Sequence, residues 1–528
     1  MEKTMKSRLL SAVMGAAILL TGHAWAQEMK KGGVLNITLT ADIRGLDGGR
    51  TDNNTDSVLY HIYDPLVAVR DDLTVGPALA ESWDISEDGK TYTFHLKQGA
   101  TYHNGDKVVA ADFKWLWERR MASAEGSDAP WLCIPVFDGS RTTKVESVEA
   151  PDDTTMVFNL AAPSGLFLVQ LADPVCNIWI ASPKNVDADN KWIEGSAIGS
   201  GPFKLNEWRK EQYISLTRFD DYVPAPGEKS GHSGDRTAYV DEARFVIIPD
   251  KTAAETALFA GQVDVVSTIS PARVEDMKAN GATILSSPGL SITAILLQTN
   301  DPVLNPKMRL AIAHALDFRQ IAAAQTVGMT EFNPSGVPQS SAMFDESFVD
   351  SWPEYDIEKS KQLQAEAGYK GEVIKIQTNQ RYIGMYNNAV VIQAMLAQAG
   401  INLELEVLDW AAQLDNFFAG KFQMQSWGYS ARPDPLVLYG MFTGDKVNFP
   451  SYQWGDEKAQ ELLKTATNTQ DLAERKAILK ELQDLMAEQV PMLGLYYFPV
   501  IEAISSKLVG YTSWPLDRPR AWGVSKTE

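Results

Sequence analysis

Residues Ser291 to Phe318 read SITAILLQTNDPVLNPKMRLAIAHALDF. Ile292, Ala294, Ile295, Leu296 and Leu297 make an apolar run of strand length, the pattern of a strand covered on both faces. Gln298, Thr299, Asn300 and Asp301 end it. Asn305 then offers a side-chain oxygen as N-cap, and Pro306 falls at the first helical position, where its missing N–H costs nothing. Met308, Ile312, Ala315 and Leu316 recur at i, i+4, i+7 and i+8, the stripe of a half-buried helix. The segment predicts a buried strand that runs across a polar break into a new helix, where the chain leaves one folded unit for another. Taken alone it fits a strand-loop-helix inside one large domain equally well, and the rest of the chain decides.

A chain of 528 residues exceeds what one hydrophobic core usually serves, so two or three packed units are expected. The formal charge of −20 argues against a polyanionic partner, and no nucleic acid is expected. Residues Met1–Ala26 have the form of a secretory signal: basic residues first, an apolar run from Leu9 to Leu20, then Ala24-Trp25-Ala26 as a small-x-small cleavage site before Gln27. The run is shorter than a bilayer-spanning helix, although an uncleaved anchor is the alternative. Cys133 and Cys176 are either a disulfide, as an oxidising compartment favours, or two separately buried thiols.

Leu35, Ile37 and Leu39 alternate with polar residues as in a half-buried strand. A loop-forming stretch from Asp42 to Asp56 precedes Val58 to Leu66, read as a helix ended by Pro65. Trp83 and Ile85 alternate outward to the turn Asp88-Gly89, and Tyr92, Phe94 and Leu96 alternate back, which makes a hairpin. A turn at Asn104-Gly105-Asp106 follows, then a helix with Phe113, Leu116 and Trp117 on one face. Beyond the crossover, Ile392, Met395, Leu396 and Ala399 line a helix ended by Gly400, and Ile401, Leu403, Leu405 and Val407 alternate as a strand. Asp456 to Glu488 reads as two charged amphipathic helices, and Met492 to Phe498 as an apolar strand returning to the first unit.

The segment Ala78 to Phe113, ALAESWDISEDGKTYTFHLKQGATYHNGDKVVAADF, resembles the family 5 extracellular solute-binding proteins of ABC importers, the dipeptide, oligopeptide and nickel binding class. The likeness lies in Leu-Ala-x-Ser-Trp, in Asp-Gly-x-x-Tyr-x-Phe-x-Leu-Lys-x-Gly, in the aromatic-His-x-Gly turn and in Ala-x-Asp-Phe. Asn104 stands where aspartate is common. Ile198 to Phe203 and Leu258 to Asp264 are similar to two further family segments. The resemblance implies an α/β, two-lobed periplasmic-binding-protein-like fold of the cluster C type, each lobe a mixed sheet with flanking helices. On that reading residues 27–290 plus 492–528 form the first lobe, with a subdomain inserted at about 73–194, and residues 291–491 form the second. Two crossings between lobes allow rigid-body closure.

No pairing of nucleophile with base, no His-Glu-x-x-His and no phosphate-binding glycine motif stands out, and the six histidines are scattered. No catalytic residue, metal or cofactor is therefore expected, although a secreted hydrolase of peptides or glycans is the alternative that abundant carboxylates leave open. The strongest candidate site is Gln425 to Pro435, where Trp427 and Tyr429 offer flat apolar surface, Arg432 a charged fork and Asp434 an acceptor between prolines. The same composition would suit a surface loop with a tucked tryptophan. By resemblance this segment contacts the ligand, but the aspartate that peptide-binding members use for an α-amino group is replaced here by Ser430, Ala431 and Arg432. Amine recognition then falls to Asp434 or elsewhere, and Arg432 equally suits a carboxylate. Thr51, Asp52, Asn53 and His61 are placed by resemblance on the opposite wall, with Trp131 a weaker candidate. The expected function is capture of a peptide or peptide-like solute by a monomeric periplasmic protein. It would deliver the solute to an inner-membrane ABC permease with ATPase subunits. A receptor that signals would share every one of these features.

Overall fold

The computed structural model describes residues 29–49, 52–123 and 131–527. The expected export signal, Thr51 and the loop residues Asp128 to Pro130 lie outside them. Three larger sheets organise the chain. The first lobe is built on a seven-stranded sheet in the order Thr283–Ser287, Val500–Ile504, Val265–Val266, Val34–Leu39, Glu242–Ile247, Tyr213–Arg218, Phe203–Arg209. The second has five strands, in the order Leu403–Val407, Ile374–Thr378, Met424–Tyr429, Ile292–Leu297, Met492–Tyr497. A four-stranded antiparallel sheet, Ala80–Ile85, Thr91–Leu96, Thr155–Leu160 and Val145–Asp152, forms the subdomain attached to the first lobe.

The strand expected at the crossover is Ile292–Leu297, antiparallel to Met424–Tyr429 on one side and Met492–Tyr497 on the other. Neighbours on both edges and buried faces explain why its sequence is an unbroken apolar run rather than an alternation. The next helix spans Pro306–His314, and the Asn305 side chain accepts from the Met308 N–H. Two expectations need correction. Met492–Tyr497, assigned above to the first lobe, pairs with Ile292–Leu297 and completes the second sheet. The chain crosses only at Phe498-Pro499, after which Val500–Ile504 enters the first sheet. An apolar run does not say which sheet it joins; Pro499, which has no N–H to donate, marks the switch. The two crossings lie side by side, with the Phe498 N–H donating to the Ser291 carbonyl at 2.9 Å. The helix expected at Val58 to Leu66 is Asn53–Ile62 instead, because the Asp52 side chain accepts from the Thr55 N–H and starts the helix inside the polar stretch.

Two residues from the segments that carried the family resemblance, Lys97 and Ser200, meet at Asp64 in the first-lobe core. The Asp64 carboxylate, fully buried, receives Lys97 Nζ at 3.0 Å, Ser200 Oγ at 3.2 Å and the Arg236 guanidinium. Burial alone would raise the Asp64 pKa, but the two cations more than offset it and hold the carboxyl below its usual range. These positions keep the first lobe together; none faces a cleft.

The lobes also touch away from the crossings. The Gly165 N–H donates to the Thr467 carbonyl at 2.9 Å, and Gln470 Nε2 donates to the Tyr92 hydroxyl at 3.2 Å. A β-carbon at Gly165 would come within 2.2 Å of the Thr469 carbonyl oxygen. Leu166, from the subdomain, is buried in the second-lobe core. Among the described residues no helix is long and apolar enough to cross a membrane.

Candidate functional site

Two cavities meet at the crossings. The larger, ≈ 820 Å³, lies in the second lobe between the C-terminal end of Met424–Tyr429, the helix Trp410–Ala419 and the loop around Tyr382. Its wall is aromatic. Trp427 stacks on Phe417, ring centroids 4.3 Å apart, and lies 5.3 Å from Trp410, which in turn meets Tyr382 edge-on at 5.0 Å. Phe418, Phe498 and Tyr382 are 60%, 45% and 43% exposed, large apolar surface that folding leaves wet. The strand positions this wall: the Trp427 and Tyr429 side chains project from alternate residues onto one face, and Gly428 between them also lines the chamber.

The second cavity, ≈ 440 Å³, sits between the lobes behind the crossings. Asn53, Asp173 and Asp517 come from the first lobe and Arg432 from the second, and Ser291, Ser430 and Phe498 also line the aromatic chamber. The two cavities are therefore neighbours, sharing Ser291, Ser430 and Phe498 as a common wall. Arg432 is half-buried; Nη1 donates to the Ala431 carbonyl at 2.7 Å and to Ser430 Oγ at 3.0 Å. Burial lowers its pKa, and the nearby Asp173 carboxylate opposes that shift. Asp173 Oδ1 accepts from the Val175 N–H at 2.9 Å. Burial raises the Asp173 pKa, against that hydrogen bond and the charges of Arg518 and Arg432. Asp517 has φ = +53°, a left-handed conformation that costs a non-glycine residue on the order of 1 kcal/mol. Burial, reinforced by Glu502 and opposed by Arg518, raises its pKa to about 7.

The cavity wall is held by covalent and ionic ties. Cys133 and Cys176 are joined in a disulfide, which decides between the alternatives the sequence left open. The Cys176 N–H donates to the Asp173 carbonyl at 2.8 Å, so the bridge anchors the Asp173-Pro174-Val175 segment of the wall. Arg518 pairs with the buried Asp56 at 2.7 Å and donates Nη1 to the Leu516 carbonyl at 2.8 Å, which fixes the turn that presents Asp517.

The sequence-derived candidates separate on this geometry. Arg432 and Asn53 line the charged cavity, and Trp427 and Tyr429 line the chamber. Trp427 and Tyr429 are largely core residues, 5% and 3% exposed, the Tyr429 hydroxyl donating to Gln453 Oε1 at 2.8 Å. Asp434 is taken up elsewhere: 3% exposed, it accepts from the Leu436 N–H at the start of helix Pro435–Phe442 and pairs with Arg475 at 2.6 Å. His61 is fully buried in the first-lobe core. Its Nε2 accepts from the Ala521 N–H at 2.9 Å, so Nδ1 carries the proton donated to the Ser57 carbonyl at 2.6 Å, and burial lowers its pKa to about 3. Asp52 caps its helix and pairs with Arg44 at 2.6 Å. Trp131 packs against Trp117 and Phe137 in the subdomain core. These four line neither cavity and are held by contacts within the fold. Asp173, Asp517, Trp410, Phe418 and Phe498 were not found from the sequence. Phe418 had a signal: it falls beside the Trp410, Leu414, Phe417 stripe, an aromatic that the helix cannot bury on its core face.

Among the described residues no group of three or more His, Cys, Asp or Glu side chains is arranged to hold a metal ion. What the arrangement can do is enclose. Two lobes, two crossings and a chamber with an aromatic wall and a charged end define a bilobal solute-binding protein. Comparison with known proteins agrees. The chain belongs to the bacterial extracellular solute-binding proteins, family 5, whose profile matches residues 74–450. It is 26% identical over 482 residues to the dipeptide-binding protein DppE of Bacillus subtilis strain 168, covering 87% of this chain and 85% of that one. It is similar in structure to the periplasmic binding protein DppA of Helicobacter pylori in complex with peptide STSA. There the TM-score is 0.70 at 27% identity, over 95% of this chain and 99% of that one. HbpA2 of Haemophilus parasuis shares the fold, with a TM-score of 0.83 at 24% identity over 94% of this chain and all of that one, 100%. The chain is thus a substrate-binding protein of the ABC-importer type.

Proposed function

We propose that this protein captures a peptide or peptide-like small solute in the exporting cell's periplasm and hands it, unaltered, to an inner-membrane ABC permease driven by ATPase subunits. It works as a monomer. The reading rests above all on one observation: an aromatic chamber and a charged cavity lie side by side at the crossings, with Arg432 contributed by one lobe and Asp173 and Asp517 by the other. A ligand that touches both lobes favours the closed arrangement by its differential affinity, and a few kcal/mol suffices to shift the population. The names of the relatives that bind dipeptides and a peptide support the ligand class. Burial of apolar area supplies affinity, and a few charge-assisted hydrogen bonds supply orientation.

Calorimetric titration of a dipeptide panel into protein freed of co-purified solute tests this. Arg432→Ala and Phe418→Ala are expected each to weaken binding roughly 10-fold or more, with little change in melting temperature. Stoichiometric binding with no product by mass spectrometry is expected; turnover of a peptide or glycan would replace this reading with the hydrolase. Unchanged affinity in both variants would remove these cavities from the site.

A further inference from the structure

Arg432 and the two carboxylates face one cavity from opposite lobes, and none is neutralised by a direct ion pair with another. Arg432 uses Nη1 on the Ser430 hydroxyl and the Ser430 and Ala431 carbonyls, and among the described residues Nε and Nη2 make no hydrogen bond. Asp173 has one oxygen engaged, by the Val175 N–H. Asp517 is held in a left-handed turn by Arg518 and by the hydrogen bond from its own N–H to the Trp514 carbonyl, 3.2 Å, while among the described residues no hydrogen bond holds its carboxylate. A rare backbone conformation, fixed from both sides, places the Asp517 carboxylate, unpartnered among the described residues, at a cavity between the lobes; strain of that kind is retained where it serves a site. The aromatic chamber begins at Ser430 and Phe498, which both cavities share.

Resting on the reading given under the proposed function, we propose that the solute is zwitterionic and that its ammonium group sits between the carboxylates of Asp173 and Asp517. Its anionic group turns toward Arg432 and its apolar body fills the aromatic chamber. The polarity is thereby set: the first lobe receives the cationic end and the second lobe the anionic end. Either lobe alone offers half the charge complement, so the fully paired solute exists only when both lobes bear on it. Solutes with a blocked amine leave the two partly buried carboxyl groups without a cationic partner and are rejected.

The experiment is a calorimetric cycle with L-alanyl-L-phenylalanine, its N-acetyl derivative and its C-terminal amide, against the full-length mature protein and the Asp173→Asn and Asp517→Asn variants. Asn at 173 keeps the Oδ1 acceptor for Val175, and each variant is checked by melting temperature before titration. Acetylation is expected to weaken binding roughly 10- to 100-fold. Each Asn variant should weaken the free dipeptide by a similar factor while leaving the acetylated form nearly unchanged, and the amide should lose affinity that Arg432→Ala no longer distinguishes. If dipeptides bind but acetylated ones bind as tightly, or if both Asn variants bind the free dipeptide as the parent does, this inference falls while the proposed function stands. If no member of a wider dipeptide panel binds, both fall together.

Discussion

Asp517 shows how a single side chain can be set against its own comfort. Burial and Glu502 favour its neutral form, raising its pKa from 3.8 to about 7. Between those values the folded state binds a proton that the unfolded state has lost, so stability falls as pH rises from about 4 to about 7 and levels off above. Glu502, Arg518 and Tyr511 are the charged or titratable groups coupled to it, with Asp173 and Arg432 across the same cavity. Asp517→Asn is therefore expected to raise the melting temperature at pH 8, by an amount on the order of a few kcal/mol in unfolding free energy, and to leave it unchanged below pH 4. Thermal melts across that range check it; an equal gain at every pH would contradict the assignment. Trp427 is the opposite case. Stacked on Phe417 and 5% exposed, it is part of the core that carries the wall, and its removal costs folding stability before it reports on binding. Phe418, 60% exposed, is the aromatic that separates the two effects.

The elements around the site differ in how far the chain reveals them. Capping, turns and alternation act within a few residues, so the strand at Ile292–Leu297, the Asn305 cap and the hairpin through Asp88-Gly89 could all be read directly. The aromatic-plus-arginine stretch was legible for a related reason: Trp427, Tyr429 and Arg432 share one strand end. Asp434 and His61 misled because their partners, Arg475 and Ala521, lie 41 and 460 residues away. Asp173 and Asp517 were invisible because their meaning depends on two distant segments converging behind the crossings. The disulfide is the tie that makes Asp173 a fixed wall. Cys133→Ser with Cys176→Ser opens a loop spanning 43 residues, expected to cost about 3 to 4 kcal/mol of stability. Dipeptide affinity should fall as well, because the segment that presents Asp173 loses its anchor. Denaturant titration measures the first and calorimetry the second; a destabilised variant with full affinity would show that the wall holds without the bridge.

In the molecule as a whole, the lobes meet at the paired crossings, at the contact of Gly165 with the Thr467 to Gln470 loop, and where the Ala342 N–H donates to the Asp72 carbonyl at 2.9 Å. Gly165 has an ordinary backbone conformation, so a β-carbon there strains nothing locally and collides only with the opposite lobe, 2.2 Å from the Thr469 oxygen. Gly165→Ala is thus expected to leave each lobe folded, to shift the unliganded protein toward a more open form, and to weaken ligand binding several-fold. Small-angle scattering with and without dipeptide checks this, and a profile identical to the parent's in both states would show that the contact yields without cost.

The stretch from Met492 to Ile504 has a further effect, on how the protein comes to exist. In thirteen residues' span it supplies the outermost strand of one sheet and an interior strand of the other. A polypeptide made from its N-terminus has delivered every other strand of both sheets before this piece arrives, so neither sheet is complete until then. Both halves must wait for the same late segment, which closes contacts with Val265 and Val266 from far along the chain and makes maturation slow and cooperative rather than half by half.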